Sequence, residues 1–176
     1  MQDIANAAKV SLTTITTIFG TKFMLLDAII KVYTRGDESP IPLVTRTWWQ
    51  DILRETDPVK QVGLYAKTVR NIHERTSGIY EIVRGIALVD AEVAAMRKEL
   101  NIGRVQDTRT VAVSLAAKDA LDTSVSVDKA LDILWALGSS EMYRMMVVER
   151  HWSADEYEAW LAQSLSASLL RKRDKF

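Results

Sequence analysis

The sequence predicts an all-α fold, and three observations carry that prediction. Apolar residues recur at three- and four-residue spacing through most of the chain. Gly and Pro are scarce, seven and three in 176 residues, so long helices can run unbroken. No stretch shows the apolar–polar alternation of a half-buried strand.

The hardest segment to reconcile with this is Leu12–Phe19, LTTITTIF, because Thr13 to Ile18 are all β-branched and stiff side chains favour strands. Spacing decides it. The apolar positions are Leu12, Ile15, Ile18 and Phe19, a helical stripe, with Ser11 ahead as an N-cap and Gly20 behind as a stop. The threonines then fall mostly on the opposite face. Before Ser11, Ile4, Ala5, Ala8 and Val10 mark a short helix. After Gly20, Thr21 caps a third with Phe23, Leu26, Ile29, Ile30 and Tyr33 inward. Two short helices and a tight turn make a helix-turn-helix.

RGDESPIPL, from Arg35 to Leu43, reads as a linker and divides the chain into residues 1–36 and 37–176. Beyond it, Asp57-Pro58 opens a helix to about Arg75, Ser77 caps another to about Val89, and Asp90 starts one through Leu100 that can extend to Leu121. Asp128 begins a strongly apolar helix to about Glu149. Ser153 to Glu156 form a capping box for a last helix to about Arg171, and the closing RKRDK reads as a charged helix end.

Lys plus Arg equals Asp plus Glu, 23 of each, so no chain-wide positive field exists and any polyanion must be met locally. Cysteine is absent, which excludes disulfides and thiolate chemistry. No apolar run reaches membrane-spanning length, and a soluble cytoplasmic protein with no membrane partner is expected. With two His and no Cys, and no phosphate-cradling, nucleophile-elbow or metalloprotease motif, an enzyme, a metal site and a cofactor are not expected. Ser126-Val-Asp-Lys129 matches a bare S-x-x-K at a helix start, without companion motifs.

The segment DIANAAKVSLTTITTIFGTKFMLLDAI resembles the DNA-binding region of TetR-type transcriptional regulators, I-A-x-x-A-G-V-S-x-x-T-I-Y-x-x-F-x-x-K-x-x-L. It matches at Ile4, Ala5, Ala8, Val10, Ser11, Thr14, Ile15, Phe19, Lys22 and Leu25. ALDILWALGSSEMYRMMVVERHWSADEYEAWLAQSLSASLL is similar to that family's two C-terminal helices. The resemblance implies a homodimeric, effector-responsive repressor acting on a double-stranded operator with inverted half-sites. Ser11, Thr13, Thr14, Thr16, Thr17 and Lys22 would be the DNA-binding residues. Threonine hydroxyls and methyls suit base edges, and Lys22 at a helix start suits a phosphate. The chain departs from the pattern at Lys9, where the family has Gly, and at Thr16, where it has Tyr. The resemblance also implies a further helix upstream, covering Ile4, Ala8, Ile15 and Phe19.

The region after the linker is expected to hold a dimer interface and an effector pocket. Leu131, Leu134, Trp135, Met142 and Met145 share one side of the Asp128 helix, which is apolar nearly all round. Tyr157, Trp160, Leu161 and Leu165 form a stripe on the last helix, with small Ser164 and Ser168 beside it. These residues are assigned to an isologous four-helix bundle between two copies. The pocket, for a hydrophobic or aromatic small molecule, is assigned to Trp48, Trp49, Tyr65, Val69, Ile72, His73, Tyr80, Val83 and Ala87. Two alternatives stay open: a dimeric small-molecule-binding protein whose head does not bind DNA, and a purely structural helical module.

Overall fold

A computed structural model describes residues 1–171, and over them the protein is all-α without a named strand. Three short helices come first: α1 Gln2–Ala8, α2 Leu12–Phe19 and α3 Lys22–Arg35. Ser11 Oγ accepts from the Thr14 N–H at 2.9 Å, and Thr21 Oγ1 from the Met24 N–H at 3.1 Å. Both expected caps are therefore in place. Lys9, standing where the family pattern has Gly, takes a left-handed backbone at φ 56°. Ala5, Ile15 and Leu25 form the small core of this head, with Met1, Phe19 and Ile29 against it. Of the α3 residues expected inward, Phe23, Leu26, Ile29 and Ile30 pack on apolar neighbours, whereas Tyr33 is exposed and Leu25 is buried in its stead.

The linker is folded on a single guanidinium. Arg46, only 9% exposed, donates to both Asp37 carboxylate oxygens and to the Ser39 and Ile41 carbonyls, drawing residues 37–46 into a compact loop. A helix that periodicity did not delimit follows, α4 Thr47–Arg54, with Trp49 and Ile52 buried.

Next come α5 Pro58–Ile86, capped by Asp57, and α6 Ala91–Ala117, capped by Asp90. The break expected at Ser77 is absent. Ser77-Gly78 costs α5 only about 1 kcal/mol, while the buried stripe Val69, His73, Thr76 and Val83 continues through it in register. The reverse holds downstream, where the expected Asp128–Glu149 helix is divided. α7 Val127–Leu137 stops at Gly138, and Ser139 caps a new start, α8 Ser140–Tyr143, which runs on as a π-helical turn, Arg144–Glu149. Gly138 has no room for a side chain: a Cβ there would lie 2.8 Å from the Leu134 carbonyl oxygen and 3.1 Å from the Tyr65 hydroxyl. Ser126 of the S-x-x-K match is the N-cap of α7. The last helix, α9 Ala154–Leu169, begins with the expected capping box.

α9 lies along α5, and α7 along α6. Their shared core corrects the interface assignment. Leu131, Leu134, Tyr157, Leu161 and Leu165 are buried within the single chain, against α4, α5 and α6. A 29-residue α5 and a 27-residue α6 supply the layers that were expected to come from a second copy. Trp135, Met142, Trp160 and Ser164 are half-buried, and Met145 and Ser168 exposed. The chain closes with a single antiparallel bridge, Leu121 to Leu170, and an Arg171–Asp119 ion pair; the rest of the RKRDK end lies outside the described residues.

Lys9→Gly removes the steric cost of a Cβ in the left-handed region, about 1 kcal/mol. Slower amide exchange across α1 and α2 in this variant is the expected outcome, and unchanged exchange contradicts it.

Candidate functional site

Two features stand out, an exposed face on the head and a cavity in the body, and α3 touches both. On α2 the stripe Ile15/Phe19 turns inward and leaves Thr13, Thr14, Thr16 and Thr17 exposed, with Lys22 exposed at the start of α3. Their hydroxyls are not equivalent. Thr14 Oγ1 shares a 2.8 Å hydrogen bond with the capping Ser11, and Thr16 Oγ1 donates back to the Leu12 and Thr13 carbonyls at 3.0 and 3.1 Å. Thr13 and Thr17, one turn apart on the same face, are exposed, and their side chains make no such contact among the described residues. Ile4, Val10, Leu12 and Ile18 are exposed apolar neighbours, Ile18 by 66%.

The cavity has a volume of about 440 Å³ and lies where the main core of the body meets a second cluster formed by Ile30, Val83, Val93 and Met96. Its origin is legible on α6. The inward stripe runs Val93, Met96, Leu100, then Gly103, Arg104 and Asp107, and resumes with Thr108, Val111 and Leu115. For one and a half turns the positions that should fill the core hold a missing side chain and two charges. The facing wall is α5, with Tyr65, Val69, Ile72, His73 and Tyr80. α3 contributes Asp27, Lys31 and Thr34.

Of the residues assigned to a pocket from sequence, Trp49, Tyr65, Val69, Ile72, His73 and Tyr80 line the cavity. Trp48 instead packs edge-on against Trp49 at the main core, and Val83 is sealed in the second cluster. Ala87 lies by a separate open groove near Leu88, Ile102 and Val105. The polar lining was missed, Arg104 and Asp107 above all. The signal was present as a polar interruption of the α6 stripe, but it looks like a solvated face until α6 is known to be inward at that point.

Gly138 organises the polar end. Its carbonyl oxygen accepts from His73 Nε2 at 3.0 Å and from Arg104 Nη1 at 3.2 Å. A carbonyl can only accept, so Nε2 carries the hydrogen and Nδ1 is a bare acceptor. That Nδ1 is buried with no hydrogen-bond partner among the described residues. Arg104 also donates to the Trp135 carbonyl at 3.0 Å, and its guanidinium carbon lies 4.7 Å from the Trp135 ring centre. The cation thus sits on the carbonyl-rich end of α7, where the helix dipole is negative.

No family model, no curated protein and no solved structure matches this chain.

Burial pushes the His73 imidazole down to about 4 and the Asp107 carboxyl up to about 6. These act in opposite senses. Above its ordinary 6.5 the imidazole is neutral folded or unfolded; as pH falls from 6.5 to about 4, only the unfolded chain takes up the proton. His73 therefore withdraws roughly 3 kcal/mol of stability across that window. Asp107 is protonated first in the folded state, below about 6, so acid favours folding at this group until the ordinary 3.8. Urea titrations at pH 7 and pH 4.5 are expected to show Asp107→Asn losing more stability on acidification than the native chain, and His73→Phe losing less; equal losses in all three contradict the two burials.

Proposed function

We propose that this protein is an effector-responsive DNA-binding regulator of the TetR type, working as a homodimer. The observation that supports this best is the path of α3. Its Leu25 and Ile29 belong to the core of the head, while its Asp27, Lys31 and Thr34 line the cavity of the body. A molecule filling the cavity would press on the same helix that positions α2. In this reading α2 enters a major groove, Thr13 and Thr17 meet base edges, and Lys22 meets a phosphate. Thr14 and Ser11 hold the helix start, and Thr16 is confined to its own backbone. Two copies would set two heads on half-sites about 34–36 Å apart. The pairing surface would use what α7 to α9 leave outside the chain's own core: Trp135, Met142, Met145, Trp160, Ser164 and Ser168.

Binding lowers operator affinity if the effector prefers a head spacing that DNA does not, and a coupling of about 1–3 kcal/mol is typical of such devices. A second reading is favoured by one observation: between Met1 and Phe23 the basic residues are Lys9 and Lys22 alone, beside four exposed apolar side chains. That surface also fits a dimeric small-molecule-binding protein whose head does not use DNA.

Selection of duplexes from a random pool by the full chain separates the two. An enriched inverted repeat is expected, bound with strong salt dependence. Thr17→Ala should relax specificity at one base pair by roughly 1–3 kcal/mol, and Lys22→Ala should weaken all sequences and lower the salt slope by about 1. Binding no better than to random duplex supports the second reading.

A further inference from the structure

We propose that the cavity takes an organic carboxylic acid with an apolar ring-bearing body and a hydroxyl group, its carboxylate on Arg104 and its hydroxyl donating to His73 Nδ1. This rests on reading the cavity as an effector site and adds the chemistry of the effector.

The carboxylate follows from which charges are already held. Around the cavity, Lys31 pairs with Asp27 at 2.5 Å, Arg84 with Glu81 at 2.6 Å and Arg97 with Glu141 at 3.3 Å. Arg35, which also lines the cavity, lies near enough to Asp37 to help hold that carboxyl below the usual range, and among the described residues Arg104 makes no ion pair. Its contacts are two carbonyls through Nη1 and a ring face, which leaves Nε and Nη2 uncommitted among the described residues on a side chain that lines the cavity. Two parallel N–H groups on a planar guanidinium match a carboxylate.

The hydroxyl follows from the imidazole. His73 is 5% exposed and lines the cavity, with Nε2 committed to Gly138 and Nδ1 unmet by any described residue. A buried bare acceptor costs stability unless a donor reaches it. Because the imidazole stays neutral, the ligand must bring the hydrogen. His73 and Arg104 both donate to one oxygen, so a single small molecule can span their free edges. The remaining wall, with Trp49, Val69, Ile72 and Met96, suits a ring or chain, and the volume falls in the range of small-molecule pockets. Asp107 is a competing anchor, still mostly ionised at neutral pH, and would favour an amine, so the amine is included among the probes.

Calorimetric titration of the full chain with hydroxynaphthoic acid isomers, naphthoic acid, naphthol and naphthylmethylamine tests this. One hydroxynaphthoate isomer is expected to bind roughly tenfold or more tighter than either naphthoic acid or naphthol. In Arg104→Met the acid should lose its advantage over naphthol, and in His73→Phe the hydroxyl should lose its effect. If these variants do not fold, the order of affinities in the native chain decides alone. The amine or naphthol binding tightest, a hydroxyl that changes nothing, or no member binding at all overturns the ligand class. The regulator reading fails separately, in the DNA selection: an operator bound by a chain that ignores these acids leaves it standing, and acids bound by a chain that ignores DNA do not rescue it.

Discussion

The seat of α3 on the body governs how every other part of this protein relates to the rest. One helix of fourteen residues belongs to the core of the head at Leu25 and Ile29, and to the second core cluster at the fully buried Ile30. It ends under Arg75 of α5, whose Nε donates to the Tyr33 carbonyl at 3.0 Å and whose Nη2 donates to the Thr34 carbonyl at 3.4 Å. Those carbonyls are among the last of α3 and have no partner within the helix, so a cation there both satisfies them and complements the dipole. Burying Ile30 contributes on the order of 2 kcal/mol. The head has a core of only a few side chains, and its orientation is therefore inherited from this contact rather than from packing of its own.

The cavity obeys the same economy. Nothing carves it out; it is where the α6 stripe passes through Gly103, Arg104 and Asp107 while the α5 stripe opposite passes through His73. Charges at inward positions are costly unless held. Gly138 holds two of the groups at once because the chain must stop α7 there, leaving a carbonyl free to accept and no side chain in the way. The turn between α7 and α8 thus serves the architecture and the polar end of the cavity through one atom.

Much of this was legible in the sequence because it depends on neighbours a few residues apart. The helical reading of LTTITTIF needed only the spacing of Ile15 and Phe19 and the Ser11 cap, and the caps at Thr21, Asp57, Asp90 and Ser153 hold, while the helix expected to begin at Asp128 is capped by Ser126 and begins at Val127. Two helix boundaries were misjudged in opposite directions: Ser77-Gly78 was outweighed by a buried stripe on both sides, whereas Gly138-Ser139 was enforced by a steric contact with Tyr65, far away in sequence. Leu131, Leu134, Tyr157, Leu161 and Leu165 were rightly read as buried but assigned to the wrong partner, since periodicity tells that a face is covered and not by which chain. Arg104 and Asp107 were invisible for a related reason: a charge on a helix reads as solvated until a tertiary neighbour turns it inward.

The rod-like role of α3 is open to direct measurement because the chain has no native cysteine to interfere. Spin labels at Thr17→Cys in the head and Gln163→Cys on α9, diluted with unlabelled chain so that only intrachain pairs count, report the head–body distance. Removing the Arg75 cap with Arg75→Ala should shift and broaden that distance distribution while the body stays folded. A narrow distribution superimposable on that of the native seat would contradict the idea that α3, clamped at its end by α5, sets where the head points.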